Sequence, residues 1–336
     1  MNLLLFVLIL GGTAYGVLHG QDIGALREAL AQCRTDWLVC AAGCVLLFLL
    51  CEAADLHILL RSFGYGIGPA SSFSAACIGF FFSSITPSST GGQPMMVYYL
   101  RQKGGVPVSV SSVALLVMAL AYKSTIVVCG LVLSVAAPGF LRESLGGMQF
   151  LYWIGFLITA GWSAFLMLLV FRSSLARGIA VWLLTVLEEL RLLKNREAIQ
   201  TELELSMDLY RDAAAHLRRA PGVMLGAAGI MLLRRAALFS VTYCVYRAMG
   251  LVGSDWLAIA ALQAVIALAA DMLPLPGGMG ITEALFARVY GALFGALLVP
   301  GMILSRGIGH YAQLLLCAVV SLAALALLNR PAREDT

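Results

Sequence analysis

The sequence predicts an all-α polytopic membrane protein with about six full spans plus two broken re-entrant helical hairpins in an inverted repeat. Three observations carry this. First, 61% of the 336 residues are hydrophobic and only 12% are charged, whereas a soluble chain carries roughly 45–50% apolar and about 25% charged residues. Second, six stretches supply the run of about 20 apolar residues that a helix needs to cross hydrocarbon. Third, two further apolar stretches are each interrupted by prolines and a glycine pair, at matching places in the two halves. The composition argues against soluble enzymes, nucleic-acid modules and disordered scaffolds. The net charge of +4, from 22 basic and 18 acidic residues, is too mild for a nucleic-acid partner.

The six spans are predicted at about 1–19, 37–60, 107–136, 149–171, 222–249 and 299–328. Residues 1–19 lack a basic leading region and a small-residue cleavage site, so they read as a retained first span and not a signal peptide. The first broken region, about 69–100, is interrupted by Thr86-Pro87-Ser88-Ser89-Thr90-Gly91-Gly92-Gln93-Pro94. The second, about 255–296, is interrupted by Pro274-Leu275-Pro276-Gly277-Gly278-Met279-Gly280. Proline and paired glycine end helices. Non-helical backbone at membrane depth survives only inside protein or beside a wet cavity, so the breaks are where function is sought.

Basic residues set the orientation. With the N-terminus cytoplasmic and each broken hairpin returning to its own side, 13 basic residues fall inside and 4 outside. The stretch 172–220 is the only long polar one, with eight basic and seven acidic residues. It reads as an interfacial helix over 178–193 followed by a charged, solvated helix over 194–219, either a connector or a docking element.

The chain divides into a single domain, 1–336, holding repeat A (about 37–136), a linking span (149–171), the cytoplasmic segment (172–220) and repeat B (about 222–328). Gly91-Gly92 follows Trp37 by 54 residues, and Gly277-Gly278 follows Gly222 by 55. The odd span at 149–171 lets the second unit reverse its direction. Inverted repeats with discontinuous helices mark alternating-access transporters, with the substrate site where the breaks meet.

The first break offers Ser88, Ser89, Thr90, Gly91, Gly92 and Gln93, with Pro94 pre-organised for the first turn of a short helix. Helix N-termini bind anions, so these residues suit a phosphate, with Tyr98, Tyr99 and Arg101 following on that helix. A turn with hydroxyl caps is the plainer reading. At the second break, Asp271 precedes Gly277 and Gly278, and Glu283 follows behind Thr282 as the expected cap. Glu283 serves either the helix terminus or a cationic group. Other charges in apolar runs are Glu52 and Asp55, Lys123, Arg234, Arg235, Arg288 and Arg306, with His310 one turn after Arg306. Charges at such depth line a polar interior or neutralise one another. For Glu52 and Asp55, near the end of their span, simple contact with interface water is an alternative reading. No catalytic triad or paired-carboxylate motif stands out. The eight cysteines show no metal-binding spacing and read as small buried hydrophobes, so neither a metal nor another cofactor is expected.

The stretches TPSSTGGQPMMVYYLRQKG and LPLPGGMGITEALF resemble the lysylphosphatidylglycerol synthase transmembrane, or flippase-like, family. Its best-known members are the bacterial multiple peptide resistance factors, which protect against antimicrobial peptides. The resemblance spans essentially the whole chain. It implies translocation of an aminoacylated phospholipid across the bacterial cytoplasmic membrane. Full-length resistance factors carry a soluble aminoacyltransferase domain that these 336 residues do not contain, so lipid aminoacylation by this chain is not expected. The expected partners are membrane phospholipids as substrate, an aminoacyl-lipid synthase and a second copy of the chain. The alternatives are a secondary transporter of a polyprenyl-phosphate-linked or soluble anion, or a membrane subunit anchoring a lipid-modifying synthase.

Overall fold

The structure, a computed structural model, describes residues 23–86, 91–189, 196–270 and 280–328. The predicted span at 1–19 lies outside them. Every regular element among the described residues is helical. In chain order these are α1 (Ile23–Ala31), α2 (Thr35–Ser62), α3 (Pro69–Ile85), α4 (Gly92–Gly104), α5 (Val108–Ala136), α6 (Pro138–Leu145) and α7 (Gln149–Phe171). There follow α8 (Ser173–Glu189), α9 (Arg196–Arg219), α10 (Pro221–Ala248), α11 (Trp256–Ala270), α12 (Ile281–Phe294), α13 (Leu298–Arg306) and α14 (Gln313–Leu328).

Five helical stretches are long and apolar enough to cross a membrane: Thr35–Ser62, Val108–Ala136, Pro138–Phe171, Pro221–Ala248 and Ile281–Leu328. The chain is therefore a multi-pass membrane protein, and each predicted span within the described residues has its helix. Their outward faces are apolar. Leu46, Leu157, Leu232 and Leu322 are exposed, a surface that would aggregate in water and is solvated by lipid. The last predicted span is interrupted. Gly307–Ala312 forms a π-helical turn between α13 and α14, a device that widens one turn and often marks functional sites.

Both broken regions fold back as hairpins. The helices α3 and α4 pack on each other across the first break, and α11 packs on α12 across the second. The first hairpin needs glycine for contact. A Cβ on Gly92 would lie 2.3 Å from the Gly79 carbonyl oxygen, so no other residue fits where α4 starts against α3.

The packing of the two halves corresponds. The most extensive contact joins α2 to α10, the first helix of each half. The pairings α2–α3, α3–α4, α4–α5 and α3–α14 have counterparts in α10–α11, α11–α12, α12–α13 and α11–α5. The α2–α10 pair is antiparallel: the Arg34 amide donates to the Ala248 carbonyl at 2.8 Å, and further along Glu52 meets Arg234. Two corresponding helices thus run in opposite senses, which is the relation inversion requires.

The linking helix α7 packs against both α5 and α11. Tyr152 on α7 is fully buried and donates to the Gly130 carbonyl of α5 at 2.9 Å. The segment 172–220 departs from the expected solvated helix. One face of α9 docks on α5, burying Tyr210, Ala213, Ala214 and Leu217 in the core of the first half, and the Tyr210 hydroxyl donates to the Leu169 carbonyl at 2.9 Å. Its charged periodicity describes only the outer face. Burial pushes the Tyr210 phenol above its ordinary value, because the phenolate would lose its water.

A paired substitution on α7 tests this packing. A Cβ on Gly155 would meet the Leu268 carbonyl oxygen of α11 at 2.1 Å, while Gly161 has nothing within 4 Å. Gly155→Leu is expected to lower the thermal midpoint of the detergent-purified protein, the cost of overpacking being about 1–3 kcal/mol. Gly161→Leu, read in the same size-exclusion thermal assay, is expected to leave it unchanged.

Candidate functional site

Charges inside an apolar bundle must find partners or be neutralised. Arg234 lies at the middle of α10, about 20 Å from either end at 1.5 Å per residue. Its guanidinium donates to the Glu52 carboxylate of α2 at 2.8 Å, and both side chains are only 12% exposed. The same guanidinium stacks over Phe48, 4.4 Å from the ring centroid, one turn from Glu52. The next residue, Arg235, turns the other way and lies over Tyr122 of α5 at 3.9 Å. Lys123 sits half-buried beside that ring, 5.0 Å from its centroid. The residue pair Arg234-Arg235 therefore ties α10 to both α2 and α5.

Asp55, one turn beyond Glu52, is 1% exposed, and neither carboxylate oxygen has a hydrogen-bond partner among the described residues. Of the two readings of Glu52 and Asp55, contact with interface water does not hold: Asp55 is buried and Glu52 is paired with Arg234. Helix α2 presses this face against α10, and depth along the span says nothing about which face turns inward.

A second ion pair joins α12 to the end of α13. The Arg306 Nε donates to Glu283 at 2.8 Å, and the second oxygen of Glu283 accepts the Gly280 amide at 2.7 Å. Gly280, with φ of +84°, is the capping position of α12, a backbone conformation that favours glycine. Thr282 is therefore not the cap, as expected from sequence, but the second residue of the helix. Glu283 serves both as terminus acceptor and as the partner of Arg306. Aromatic rings link the two pairs: Phe48 contacts Phe80 edge-on with centroids 6.3 Å apart, Phe80 contacts His310 at 6.0 Å, and His310 contacts, at 5.2 Å, Tyr311, over which Arg306 lies. His310 sits buried in the π-helical turn, and its Nε2 has no hydrogen-bond partner among the described residues. Buried Gln313 likewise leaves both amide atoms without one.

Other expected site residues fall elsewhere. Arg101 is exposed in the last turn of α4, about 13 Å along the helix from Gly92. Arg288 is exposed and its guanidinium lies against Gly146, beside α6, away from the Glu283–Arg306 pair. The Gly91 amide donates to the Thr86 hydroxyl at 2.9 Å, which removes one donor from the proposed anion site. Gly92 is buried by its contact with α3, and Gln93 stands exposed in the first turn of α4. Ser88, Ser89, Thr90, Asp271, Gly277 and Gly278 lie outside the described residues.

Tyr122, Gln313 and the π-helical turn escaped the sequence reading. Gly307 and Gly309, both just before His310 inside an apolar span, were the available signal for the last of these.

These features define a multi-pass helical membrane protein with two discontinuous hairpins and a charged interior between its halves. The chain belongs to the lysylphosphatidylglycerol synthase transmembrane family: residues 2–317 match the family described as lysylphosphatidylglycerol synthase TM region. No curated protein matches it. Membership fits a membrane domain associated with lysyl-phospholipid handling.

The Glu52–Arg234 pair makes a double-mutant prediction. Arg234→Met alone is expected to destabilise the purified protein by about 3–5 kcal/mol, as does breaking a buried pair from one side. Combining it with Glu52→Gln is expected to restore most of the thermal midpoint. Additive losses in the two single variants would contradict coupling.

Proposed function

We propose that the chain is a flippase that moves an aminoacylated phospholipid of the lysyl-phosphatidylglycerol type between the leaflets of a bacterial cytoplasmic membrane. The observation that carries this is the belt of partnered charges at mid-helix between the two halves, where α2 and α10 pass antiparallel. A lysyl-phospholipid headgroup carries both an anionic phosphate and cationic amines. The belt offers Arg234, Arg235 and Lys123 to the first, and Glu52 and Asp55 to the second.

Exchange of partners then gives a low-cost path. The phosphate replaces Glu52 on Arg234 while an ammonium takes up Glu52, so neither ion stands unpaired in hydrocarbon. The hydroxyls of Ser88, Ser89 and Thr90 and the start of α4 at Gly92 form the phosphate entry at the first break. Asp271, which directly follows the end of α11, and Glu283 form the acidic entry at the second. Acyl chains stay among the exposed leucines while the head crosses. Rocking of the two halves about the α2–α10 contact opens the path to each leaflet in turn. In this reading the chain forms no covalent bond, and a synthase supplies its lipid.

A proton-coupled transporter of an anionic substrate is the second reading, and Asp55 favours it. A buried carboxyl without a hydrogen-bond partner can take up and release a proton as the path opens.

Proteoliposomes loaded with lysyl-phosphatidylglycerol distinguish these. Headgroup exposure, followed with an amine-reactive impermeant probe, is expected to be fast with wild type. It is expected to fall roughly tenfold or more in Arg234→Met, Asp271→Ala and Glu283→Ala, since each lost charge contact is worth about 1.4 kcal/mol or more. Equal rates in all four would remove the assigned roles, and inactive wild type with several lipids would remove the class. Dependence on an imposed proton gradient that Asp55→Asn abolishes would favour the second reading.

A further inference from the structure

The outer turns of the α2–α10 contact hold three cysteines that the lipid path does not use. Cys40 and Cys44 are one turn apart on α2, and Cys244 comes from α10. Their sulfurs all lie within 4.8 Å of one another, with the Cys244 and Cys40 sulfurs 3.5 Å apart. Spacing along the chain conceals this group, because its third member is 200 residues away and is delivered by the antiparallel register of the two helices.

We propose that Cys40, Cys44 and Cys244 form a binding site for a thiophilic metal ion, best matched by monovalent copper. An ion about 2.3 Å from each of three sulfurs needs them roughly 3.7–4.0 Å apart, so the observed spacing closes on an ion with small side-chain movements. The donor set is all sulfur, and among the described residues the group contains no histidine or carboxylate. Soft thiolates select monovalent copper or zinc, and zinc prefers a fourth ligand.

Arg247, one turn from Cys244 on α10, lies over Trp37, one turn from Cys40 on α2, with 5.4 Å between guanidinium and ring centroid. Its charge offsets part of the negative charge of the copper–thiolate centre. Each thiol that ligates gives its proton to water, and copper enters as the monovalent ion, so no oxidant or reductant is consumed. Cys40 is exposed while Cys244 is buried, which gives the ion a route in from one side and a closed floor on the other. A bound ion would staple the first helices of the two halves at one end, leaving the Glu52–Arg234 region free to rearrange.

The test uses the full chain in detergent, reduced and anaerobic, titrated with monovalent copper against a chromophoric copper chelator. One copper per chain is expected, with an X-ray absorption spectrum dominated by sulfur neighbours at about 2.3 Å and a thermal midpoint that rises with copper. Cys40→Ser, Cys44→Ser and Cys244→Ser are each expected to weaken binding roughly tenfold or more and to abolish the midpoint shift. Cys317→Ser, a buried cysteine on α14, is expected to change neither. Binding that is absent under reducing conditions would overturn the proposal. So would binding that survives in the three variants, or a Cys40–Cys244 disulfide as the only state of these thiols.

Discussion

A charge placed in hydrocarbon must keep a partner, and that constraint shapes this molecule. Arg234 stands at the middle of a span with Glu52 2.8 Å away on another helix. Only an antiparallel α2–α10 contact, in register, brings them together. The same register sets the Arg34 amide on the Ala248 carbonyl at one end. The two halves of the chain therefore meet through their first helices, and the hairpins are carried on either side of that seam. Replacing the pair by well-packed apolar residues would cost little or even stabilise the fold.

Close backbone approach is the second condition. Gly92 lets α4 start directly against α3, and Gly155 lets α7 lie on the backbone of α11. Lipid offers little hydrophobic force to drive helices together, so small residues that permit van der Waals contact do much of that work. The glycines of the first break thus have a packing role, and the amide of Gly91 is held by Thr86. At the second break, Glu283 binds a backbone amide and Arg306 at once. Moving Glu283 would loosen the start of α12 together with its tie to α13, which couples charge to hairpin geometry.

The long polar segment illustrates how a charge pattern underdetermines packing. Helix α9 reads as solvated because its charges recur with helical period, yet Tyr210, Ala213, Ala214 and Leu217 form a narrow stripe that the bundle buries. The stripe is small and partly polar, so it does not stand out against so many charges. The docked α9 packs on α5, which carries Tyr122 and Lys123 at the charged belt.

By itself the sequence determined the membrane class, the spans within the described residues and the two hairpins. It also singled out nearly every charged residue of the interior. Hydropathy and helix-breaking residues are local properties, and the cost of charge in lipid marks Arg234 or Glu283 wherever the chain folds. Only the tertiary structure decided which of these charges meet. It put Glu52 on Arg234 and Arg306 on Glu283, buried Asp55, turned Arg101 and Arg288 outward, and gathered Cys40, Cys44 and Cys244. Each of those outcomes depends on helix rotation and on register between helices up to 200 residues apart. Neither rotation nor register is written in a span that is apolar on all its faces, because such a helix has no single preferred side until its neighbours supply one.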